Sequence, residues 1–397
     1  MEFEVSKRMS TLKGSAIREM FKKMADPTVI SLAGGNPAAE LFPNEELSEI
    51  AAEILKTNPV GALQYGISEG SIPLRKKILE MVSERENINA TLDEITIVSG
   101  GQQAIEITSK ILLNEGDGVI VEEPSFVGAL NAMRSYGANL VGVPIESDGI
   151  NIEVLREKIK ETPNVKYIYV IPNFQNPTGI TMSVEKRKAV YNIAKENNLF
   201  IIEDNPYGEL TFDGVKLPTI KSMDTDGLVI YCGSFSKILA PGLRLGYMIA
   251  PESFTQKAVL AKQVSDVHTS LLPQLIALGY LEKYSIDALI EKMRALYSEK
   301  CNVMIDAIEK YLPESVEHTT PHGGLFVWCS TENIDSAVLA KRCADEKVLI
   351  VQGNNFAVDM EKKSYGFRLN FSTMPNDKIV EGVKRLGSVL KSIQEEM

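Results

Sequence analysis

Short apolar runs rich in β-branched residues alternate with amphipathic segments between about residue 94 and residue 250. The runs are apolar throughout rather than alternating in polarity, which is typical of strands in a sheet covered on both faces. Their alternation with helices predicts an α/β fold built on a mostly parallel sheet. The candidate strands are 95–98, 119–121, 139–143, 167–171, 199–202, 228–232 and 245–250.

The amphipathic segments between these runs predict helices near 102–113, 126–136, 152–161 and 184–197. Ser183 and Asn44 each precede a helical pattern, and we predict both as N-caps because their side chains can accept a hydrogen bond from the first turn. After Pro251 the pattern is helical for a long stretch, with a break predicted at 270–273.

From about Pro313 the pattern returns to short strands mixed with helices. This change predicts a second, smaller α+β domain, and a length of 397 residues is consistent with two domains. The candidate strands of this part are 324–329, 348–351 and 367–371.

Composition argues against several classes of protein. The net charge of −11 argues against a nucleic-acid-binding protein, which would normally carry a basic patch. Four cysteines without a C-x-x-C pair predict free thiols in a reducing compartment, and three histidines without an H-E-x-x-H pair argue against a zinc site. No apolar run has the length of a membrane-spanning helix or of a signal peptide core. We therefore expect a soluble, cytoplasmic protein.

Two glycine-containing segments are candidate phosphate sites. In the first, 95–103, a strand leads through Gly100 and Gly101 into a helix. The free N–H groups and the dipole at a helix N-terminus favour a bound anion, although a Gly-Gly pair at this position is also a common turn.

The second segment, 233–246, combines Ser234, Ser236 and Arg244, which could hold a phosphate together, with arginine giving a bidentate contact. Lys237 follows the two hydroxyl groups directly. Positive charge nearby would lower the pKa of this lysine, and a neutral amine is what Schiff-base formation requires. Lys237 is therefore a candidate catalytic residue.

Polar residues also follow two of the predicted strands. Asn176, in the Asn-Pro-Thr-Gly segment 176–179, comes after the strand that ends at Ile171, and Asp204 stands at the end of another strand. The carboxyl edge of an α/β sheet is where such folds bind ligands. A buried Asp204 would need a cationic partner, for which a protonated pyridine nitrogen would serve. Asn176 as a turn former and Asp204 as a helix cap remain alternatives.

In their order along the chain, these motifs resemble the fold-type I pyridoxal-phosphate (PLP) enzymes, the class I/II aminotransferases. Within this family the chain is most similar to the 2-aminoadipate and kynurenine aminotransferase branch, and the resemblance covers nearly all of it. The Ser-x-Ser-Lys motif with its downstream arginine is the most specific element. The resembling segments are 17–19, 31–37, 63–66, 70, 99–103, 176–179, 204–207, 233–246 and 367–372.

The resemblance implies a role for each matching residue around PLP. Lys237 would hold the cofactor as a Schiff base and act as the general base, while Asp204 would pair with the pyridine nitrogen. Asn176 and Tyr207 would hydrogen-bond the phenolic oxygen, and Phe126 would stack on the ring. The phosphate would be held by Gly101, Gln102, Ser234, Ser236 and Arg244. Many relatives have serine where Gly101 stands, so one hydroxyl contact is missing here.

Substrate contacts follow from the same resemblance. Arg368 would bind the α-carboxylate of the substrate, and Gly35 would lie over the substrate. Tyr65 would reach the phosphate of a neighbouring subunit, which implies a homodimer with shared sites. Arg18 could bind a distal carboxylate or could be a surface charge. The implied organisation is an N-terminal segment 1–45 packing with the small domain and covering the active site, a large PLP-binding domain 46–290 with a seven-stranded sheet, and a small domain 291–397.

The implied function is transfer of an amino group from an L-amino acid of 2-aminoadipate, aromatic or aliphatic type to a 2-oxo acid by a ping-pong mechanism, with 2-oxoglutarate as the expected acceptor. Two alternatives use the same motifs. One is a PLP-dependent β-lyase acting on cysteine-like substrates. The other is a non-catalytic regulatory relative with a DNA-binding module, for which the acidic chain offers no segment.

Overall fold

The structure is a computed structural model that describes residues 3–10, 12 and 26–397. Within these ranges, none of the helices combines the length and apolar character needed to cross a membrane. The helices are α1 Lys7–Ser10, α2 Asn44–Thr57, α3 Pro59–Leu63, α4 Ile72–Glu86, α5 Gly101–Leu112, α6 Val127–Arg134, α7 Ile152–Glu161, α8 Val184–Glu196, α9 Glu252–Gln263, α10 Leu271–Lys283, α11 Ile286–Tyr311, α12 Ser336–Asp345 and α13 Asn376–Glu396. Short 3₁₀ turns occupy Ala39–Leu41, Leu92–Glu94, Lys221–Met223, Pro241–Leu243 and Gly353–Phe356.

The strands form a large sheet flanked by helices, a small antiparallel sheet and a separate parallel pair. The strands are β1 Ile30–Ser31, β2 Ile95–Val98, β3 Gly118–Glu123, β4 Asn139–Glu146, β5 Gly149–Ile150, β6 Val165–Val170, β7 Phe200–Asp204, β8 Val229–Ser234, β9 Gly246–Ile249, β10 Glu317–His318, β11 Phe326–Ser330, β12 Val348–Leu349, β13 Val351–Gln352 and β14 Gly366–Asn370.

The large sheet confirms the predicted mostly parallel α/β architecture. Its order is β2-β9-β8-β7-β6-β3-β4-β5, and the pairs from β8 through β4 are parallel. Strand β9 is antiparallel to both of its neighbours. All seven candidate strands are present. The sheet has eight strands rather than the expected seven, because the two-residue β5 folds back antiparallel onto the end of β4. An element this short leaves no apolar pattern in the sequence.

This topology brings together the polar residues that stand at the carboxyl ends of several strands. Strands β2, β6, β7 and β8 run in the same direction, so their carboxyl ends lie at one edge of the sheet. The residues that follow them are the glycine turn at 99–101, the loop at 171–179, Asp204 itself and the Ser234 segment. The core strands β2, β8 and β9 are almost entirely buried, which fixes this edge rigidly.

The small sheet has the order β10-β11-β14-β13 and is antiparallel throughout. Strand β1 of the N-terminal segment pairs in parallel with β12. Segment 26–33 therefore lies beside the C-terminal part of the chain. The division at residues 45 and 290 stays a prediction, and helix α11 runs continuously across the second of these positions.

Of three local predictions about helix ends, one is confirmed and two differ from the structure. Ser183 is the N-cap of α8, and its hydroxyl accepts from the Lys186 N–H at 3.3 Å. Asn44 was wrong as a cap, because it is the first residue of α2 and Pro43 precedes it without a side-chain hydrogen bond. The helix break predicted at 270–273 lies at 264–270 instead. Pro273 stands in the first turn of α10, where its missing N–H would have no helical partner.

A fully buried arginine, Arg187 of α8, holds the loop that follows β6. Its guanidinium and Nε donate to the carbonyl groups of Met182, Pro172 and Pro218 at 2.9–3.0 Å, and to the Asn173 side chain at 2.6 Å. Burial lowers the pKa of this arginine. Such a charge is stable inside the protein only because these acceptors surround it.

Substitution Arg187→Met is expected to lower the free energy of unfolding by about 3 kcal/mol or more, because four buried acceptors lose their donor. The matched control is Arg156→Met, which removes an exposed ion pair with Glu196 and should cost about 0–1 kcal/mol. Urea unfolding followed by circular dichroism measures both. Equal transition midpoints for the two variants would contradict the structural role of Arg187.

Candidate active site

A cavity of about 440 Å³ opens at the carboxyl edge of the large sheet and gathers residues that are far apart in the sequence. The sequence-predicted residues that line it are Gly35, Gly101, Gln102, Phe126, Asn176, Asp204, Tyr207, Ser234, Ser236, Lys237, Arg244 and Arg368. Sequence reasoning missed six further lining residues, Asn36, Val127, Ile171, Pro206, Pro241 and Phe326. Asn36, Val127 and Pro206 adjoin predicted residues in the sequence, and the other three are ordinary apolar residues, so none of the six carries a signal that would single it out.

Among the predicted residues that the structure describes, Tyr65 does not line the cavity. Tyr65 is 81% exposed, and its ring packs edge-on against His268 with a centroid distance of 6.0 Å. Arg18 lies outside the described residues, so the structure gives it no contacts.

Lys237 follows β8 and extends into the cavity, where its Nζ donates to the carbonyl of Gly35 at 2.6 Å. The pKa of Lys237 falls to about 8, primarily because burial disfavours the ammonium form, and next because Arg368 and Arg244 repel it. The sequence had indicated only the neighbouring positive charge. A substantial neutral fraction of this amine therefore exists near neutral pH.

Asp204, the last residue of β7, is buried at the end of the cavity and caps no helix. The hydroxyl of Tyr169 donates to its Oδ2 at 2.7 Å. Burial raises the pKa of Asp204 to about 6, while the tyrosine donor opposes this rise. Tyr169 was missed from the sequence, although its register opposite Ile202 places it on the same sheet face as Asp204.

Arg368 of β14 meets the loop after β6 on the opposite side of the cavity. Its Nη1 donates to Asn176 Oδ1 at 2.8 Å and its Nη2 to the Ala33 carbonyl at 2.7 Å. Asn176 Nδ2 lies 3.4 Å from the hydroxyl of Tyr207. The Nε of Arg368 is buried and has no hydrogen-bond partner. This guanidinium therefore has a donor left for a further acceptor.

Two aromatic rings fix the plane of that guanidinium. The Cζ of Arg368 lies 4.2 Å from the ring centroid of Phe326 and 5.1 Å from that of Phe356. Burial lowers the pKa of Arg368 to about 10, which still leaves it charged at neutral pH. Stacking on ring faces stabilises a cation that has lost its water.

The two glycine-containing segments meet at the wall of the same cavity. The Ser236 N–H donates to Ser234 Oγ at 3.1 Å, and Arg244 Nη2 donates to the carbonyl of Ser99 at 3.2 Å. Arg244 itself is in the left-handed region with φ 49°. Gly100 has φ 81°, and a Cβ there would lie 2.5 Å from Arg244 Nη2, so this turn requires glycine.

Gly101 is the first residue of α5, and the N–H groups of this first turn have no partner within the helix. A Cβ at Gly101 would lie 3.6 Å from Asp204 Oδ1, an ordinary contact. A Cβ fits at this position, so steric hindrance does not explain why Gly101 replaces the serine expected from the resemblance.

Comparison with known proteins agrees with this geometry. Residues 27–386 match the family Aminotransferase class I and II. The chain belongs to the class I and II aminotransferases.

The relatives of this aminotransferase include solved structures that carry the cofactor. It is 40% identical to aromatic-amino-acid aminotransferase 1 of Thermococcus litoralis over 97% of its length and 94% of that protein. Pyrococcus horikoshii kynurenine aminotransferase, solved in complex with PMP, superimposes with a TM-score of 0.93 at 37% identity, covering 98% of this chain and 97% of that one. The α-aminoadipate aminotransferase LysN of Thermus thermophilus, complexed with N-(5'-phosphopyridoxyl)-L-leucine, gives 0.92 at 35% identity, covering 99% and 98%.

This is a PLP-dependent aminotransferase acting on amino acids and 2-oxo acids, and its cavity fits the cofactor. A buried carboxylate, Asp204, hydrogen-bonds no cationic side chain of the described ranges and suits a protonated pyridine nitrogen. Hydroxyl groups, helical N–H groups and Arg244, which line the same cavity, suit a phosphate. Lys237 lines this cavity as well.

We expect the amine of Lys237 in the cofactor-free aminotransferase to become half-reactive near pH 8, because only its neutral form is nucleophilic. Substitution Arg368→Leu should move this midpoint upward, since it removes a positive charge that disfavours the ammonium form. The control, Arg156→Leu, changes a remote exposed arginine. The measurement is trinitrophenylation of Lys237 against pH, followed by mass spectrometry. A midpoint above 10 in the unaltered protein would contradict the burial effect.

Proposed function

We propose that this aminotransferase moves the amino group of an L-amino acid with a 2-aminoadipate-like, aromatic or aliphatic side chain to 2-oxoglutarate, in two successive half-reactions. The observation that carries this proposal is one cavity holding an amine of lowered pKa, a buried carboxylate and a buried guanidinium with a free donor. When bound, PLP supplies an electron-withdrawing ring conjugated to the substrate α-carbon.

Asp204 keeps the pyridine nitrogen of the cofactor protonated. A carboxyl group with a pKa near 6 in a dry site is stabilised as an anion when a cation lies against it. Tyr169 holds the carboxylate in place from the other side by donating to Oδ2. Asp204 would therefore hold a proton on the ring nitrogen of the bound cofactor, which would strengthen the electron withdrawal that the ring supplies.

Lys237 acts as the base that takes the proton from the substrate α-carbon and returns one to C4′ of the cofactor. An ideal base has a pKa near the working pH, and burial brings Lys237 to about 8. Its contact with Gly35 links the base to the segment that we propose covers the substrate.

Arg368 binds the substrate α-carboxylate. Its guanidinium plane is set by Phe326 and Phe356, and Asn176 orients one Nη, so a carboxylate can approach a fixed fork. Holding the carboxylate fixes which bond of the α-carbon stands perpendicular to the ring. Asn176 and Tyr207 lie beside the proposed position of the phenolic oxygen, to which both can hydrogen-bond.

The cofactor phosphate binds between the two glycine-containing segments. Gly101 and Gln102 offer helical N–H groups, Ser234 and Ser236 offer hydroxyls, and Arg244 offers the neutralising charge. Phe126, which lines the same cavity, stacks on the ring.

The donor side chain meets a largely apolar part of the cavity. Val127, Pro241 and Phe326 line it beside Asn36 and Gly35. These side chains favour aromatic or aliphatic donors, in agreement with the aromatic-amino-acid and kynurenine aminotransferases among the relatives. A dicarboxylic donor such as 2-aminoadipate requires a further cation, and Arg18 is the residue that we propose for it.

The purified protein should be yellow with bound cofactor, and glutamate alone should bleach it while releasing 2-oxoglutarate equimolar with the sites. Adding a 2-oxo acid should restore the colour, because the two half-reactions are separable. Lys237→Ala should abolish the bleaching cycle, whereas Lys110→Ala should not. Release of ammonia and pyruvate from cysteine-like compounds without an acceptor would instead support a lyase.

We propose that the enzyme is a homodimer in which Tyr65 reaches the phosphate of the partner subunit. The support is a group of exposed apolar side chains around Tyr65, including Val60, Leu63 and Val264, next to the ring contact with His268. Exposed apolar patches of this kind mark protein interfaces. The cytoplasmic location rests on four free, buried cysteines and stays a prediction.

Sedimentation equilibrium should give twice the chain mass of 43.8 kDa. Leu63→Lys places a charge in the proposed interface and is expected to shift the mass toward the monomer. The control is Val215→Lys, an equally exposed valine of the same chain outside this patch. A monomer for the unaltered protein, or no difference between the two variants, would rule out this interface.

A further inference from the structure

Lys262, in the last turn of α9, has a side chain with 0% exposure and does not line the cavity. Its Nζ lies 3.0–3.1 Å from each of its acceptors. A buried ammonium is costly unless such acceptors surround it, and burial lowers the pKa of Lys262 while Asp266 opposes this. The acceptors are Gln103 Oε1, both carboxylate oxygens of Asp266 and Thr269 Oγ1.

Gln103 joins this lysine to the glycine turn of the phosphate site. Its Oε1 accepts from both Lys262 Nζ and the Ser99 N–H, the latter at 2.7 Å. Its Nε2 donates to Asp266 at 2.7 Å. The amide is therefore held at both ends and can adopt one orientation only.

Ser99 continues the connection into the cavity. Its carbonyl accepts from Arg244 Nη2 at 3.2 Å, and its hydroxyl lies 3.3 Å from Asp266 and 3.2 Å from Thr269. One residue, Ser99, thus separates the buried lysine network from the arginine that lines the cavity. The next two residues are Gly100, the N-cap of α5, and Gly101, its first residue.

The same lysine also fixes the turn that supplies its acceptors. The N–H groups of Ser265, Asp266 and Val267 all donate to the Lys262 carbonyl at 2.9 Å. Val267 has φ 64°, which a β-branched residue adopts only where the surroundings enforce it. Main chain and side chain of Lys262 therefore hold the turn at 265–269 from both sides.

We infer that Lys262 is a positioning residue for the cofactor phosphate, acting through Gln103 and the Ser99 peptide on Arg244 and on the first turn of α5. The inference rests on the proposed phosphate site. Because Asp266 neutralises the ammonium locally, Lys262 acts by fixing geometry and contributes little long-range attraction. Loss of the lysine frees the Gln103 amide and the Ser99 peptide, and the donors around the phosphate lose their alignment.

A purely structural buried ion pair predicts a different outcome. Removing it would lower stability and weaken every ligand of the cavity alike. A positioning role affects the phosphate-bearing ligand selectively. The ratio between the dissociation constants of pyridoxal and PLP separates the two, because these ligands differ only in the phosphate.

The test is titration of the cofactor-free protein with PLP and with pyridoxal, followed by absorbance. Lys262→Met is expected to weaken PLP binding by roughly ten- to hundredfold, the size of one lost charged hydrogen bond, with less than a twofold change for pyridoxal. The matched control is Lys110→Met, whose Nζ contacts Ser265 of the same turn at 2.7 Å from the surface. In Lys110→Met the ratio between the dissociation constants of pyridoxal and PLP should be unchanged. The inference is overturned if Lys262→Met weakens the binding of both ligands equally, or weakens the binding of neither.

A second variant covers the case in which Lys262→Met does not fold. Gln103→Met keeps the Lys262–Asp266 pair and removes the amide that joins this pair to Ser99, so it should show the same selective loss. A normal ratio in Gln103→Met overturns the inference. Arg244→Leu tests the phosphate site itself. If it leaves the ratio unchanged, the phosphate site is wrong and the inference fails with it; if it lowers the ratio and Lys262→Met does not, only the inference fails.

Discussion

Burial of three ionisable groups around one cavity is the constraint on which the rest of the structure depends. Asp204, Lys237 and Arg368 are all removed from water, and each has its pKa displaced toward the neutral form as a result. None of these groups hydrogen-bonds to another of the three. Their separation leaves room for a charged ligand that can satisfy all of them, which a neutral or smaller ligand could not.

The loops that carry these groups are held by further buried polar residues. Arg187 fixes the start of the 173–179 loop through four acceptors, and Lys262 fixes the glycine turn through Gln103. Three of the four acceptors of Arg187 are backbone carbonyls, whereas the acceptors of Lys262 are side-chain oxygens. Because buried donors must keep such partners, these contacts restrict the conformations that both loops can adopt.

Much of this arrangement could be predicted from the sequence, and the residues that could not be share a physical reason. Strands β2 to β9, except the two-residue β5, follow from apolar runs, because burial on both faces requires continuous apolar sequence. Tyr169, Phe356 and Lys262 left no such signal. Each is an ordinary core or helix residue until tertiary pairing places it beside Asp204, Arg368 or Gln103. Asn44 failed as a cap for a similar reason, since local preference cannot decide between neighbouring positions.

Arg368 has two effects on the site, and the proposed function needs both. Together with burial, which has the larger effect, its charge lowers the pKa of Lys237 to about 8 while the cavity lacks a substrate, so a larger fraction of the amine is neutral and reactive. A substrate carboxylate bound at Arg368 would neutralise that charge, and the pKa of Lys237 would then rise. The amine would become a stronger base when an α-proton is within reach. Binding and proton transfer would thus be coupled through the electrostatic interaction between Arg368 and Lys237.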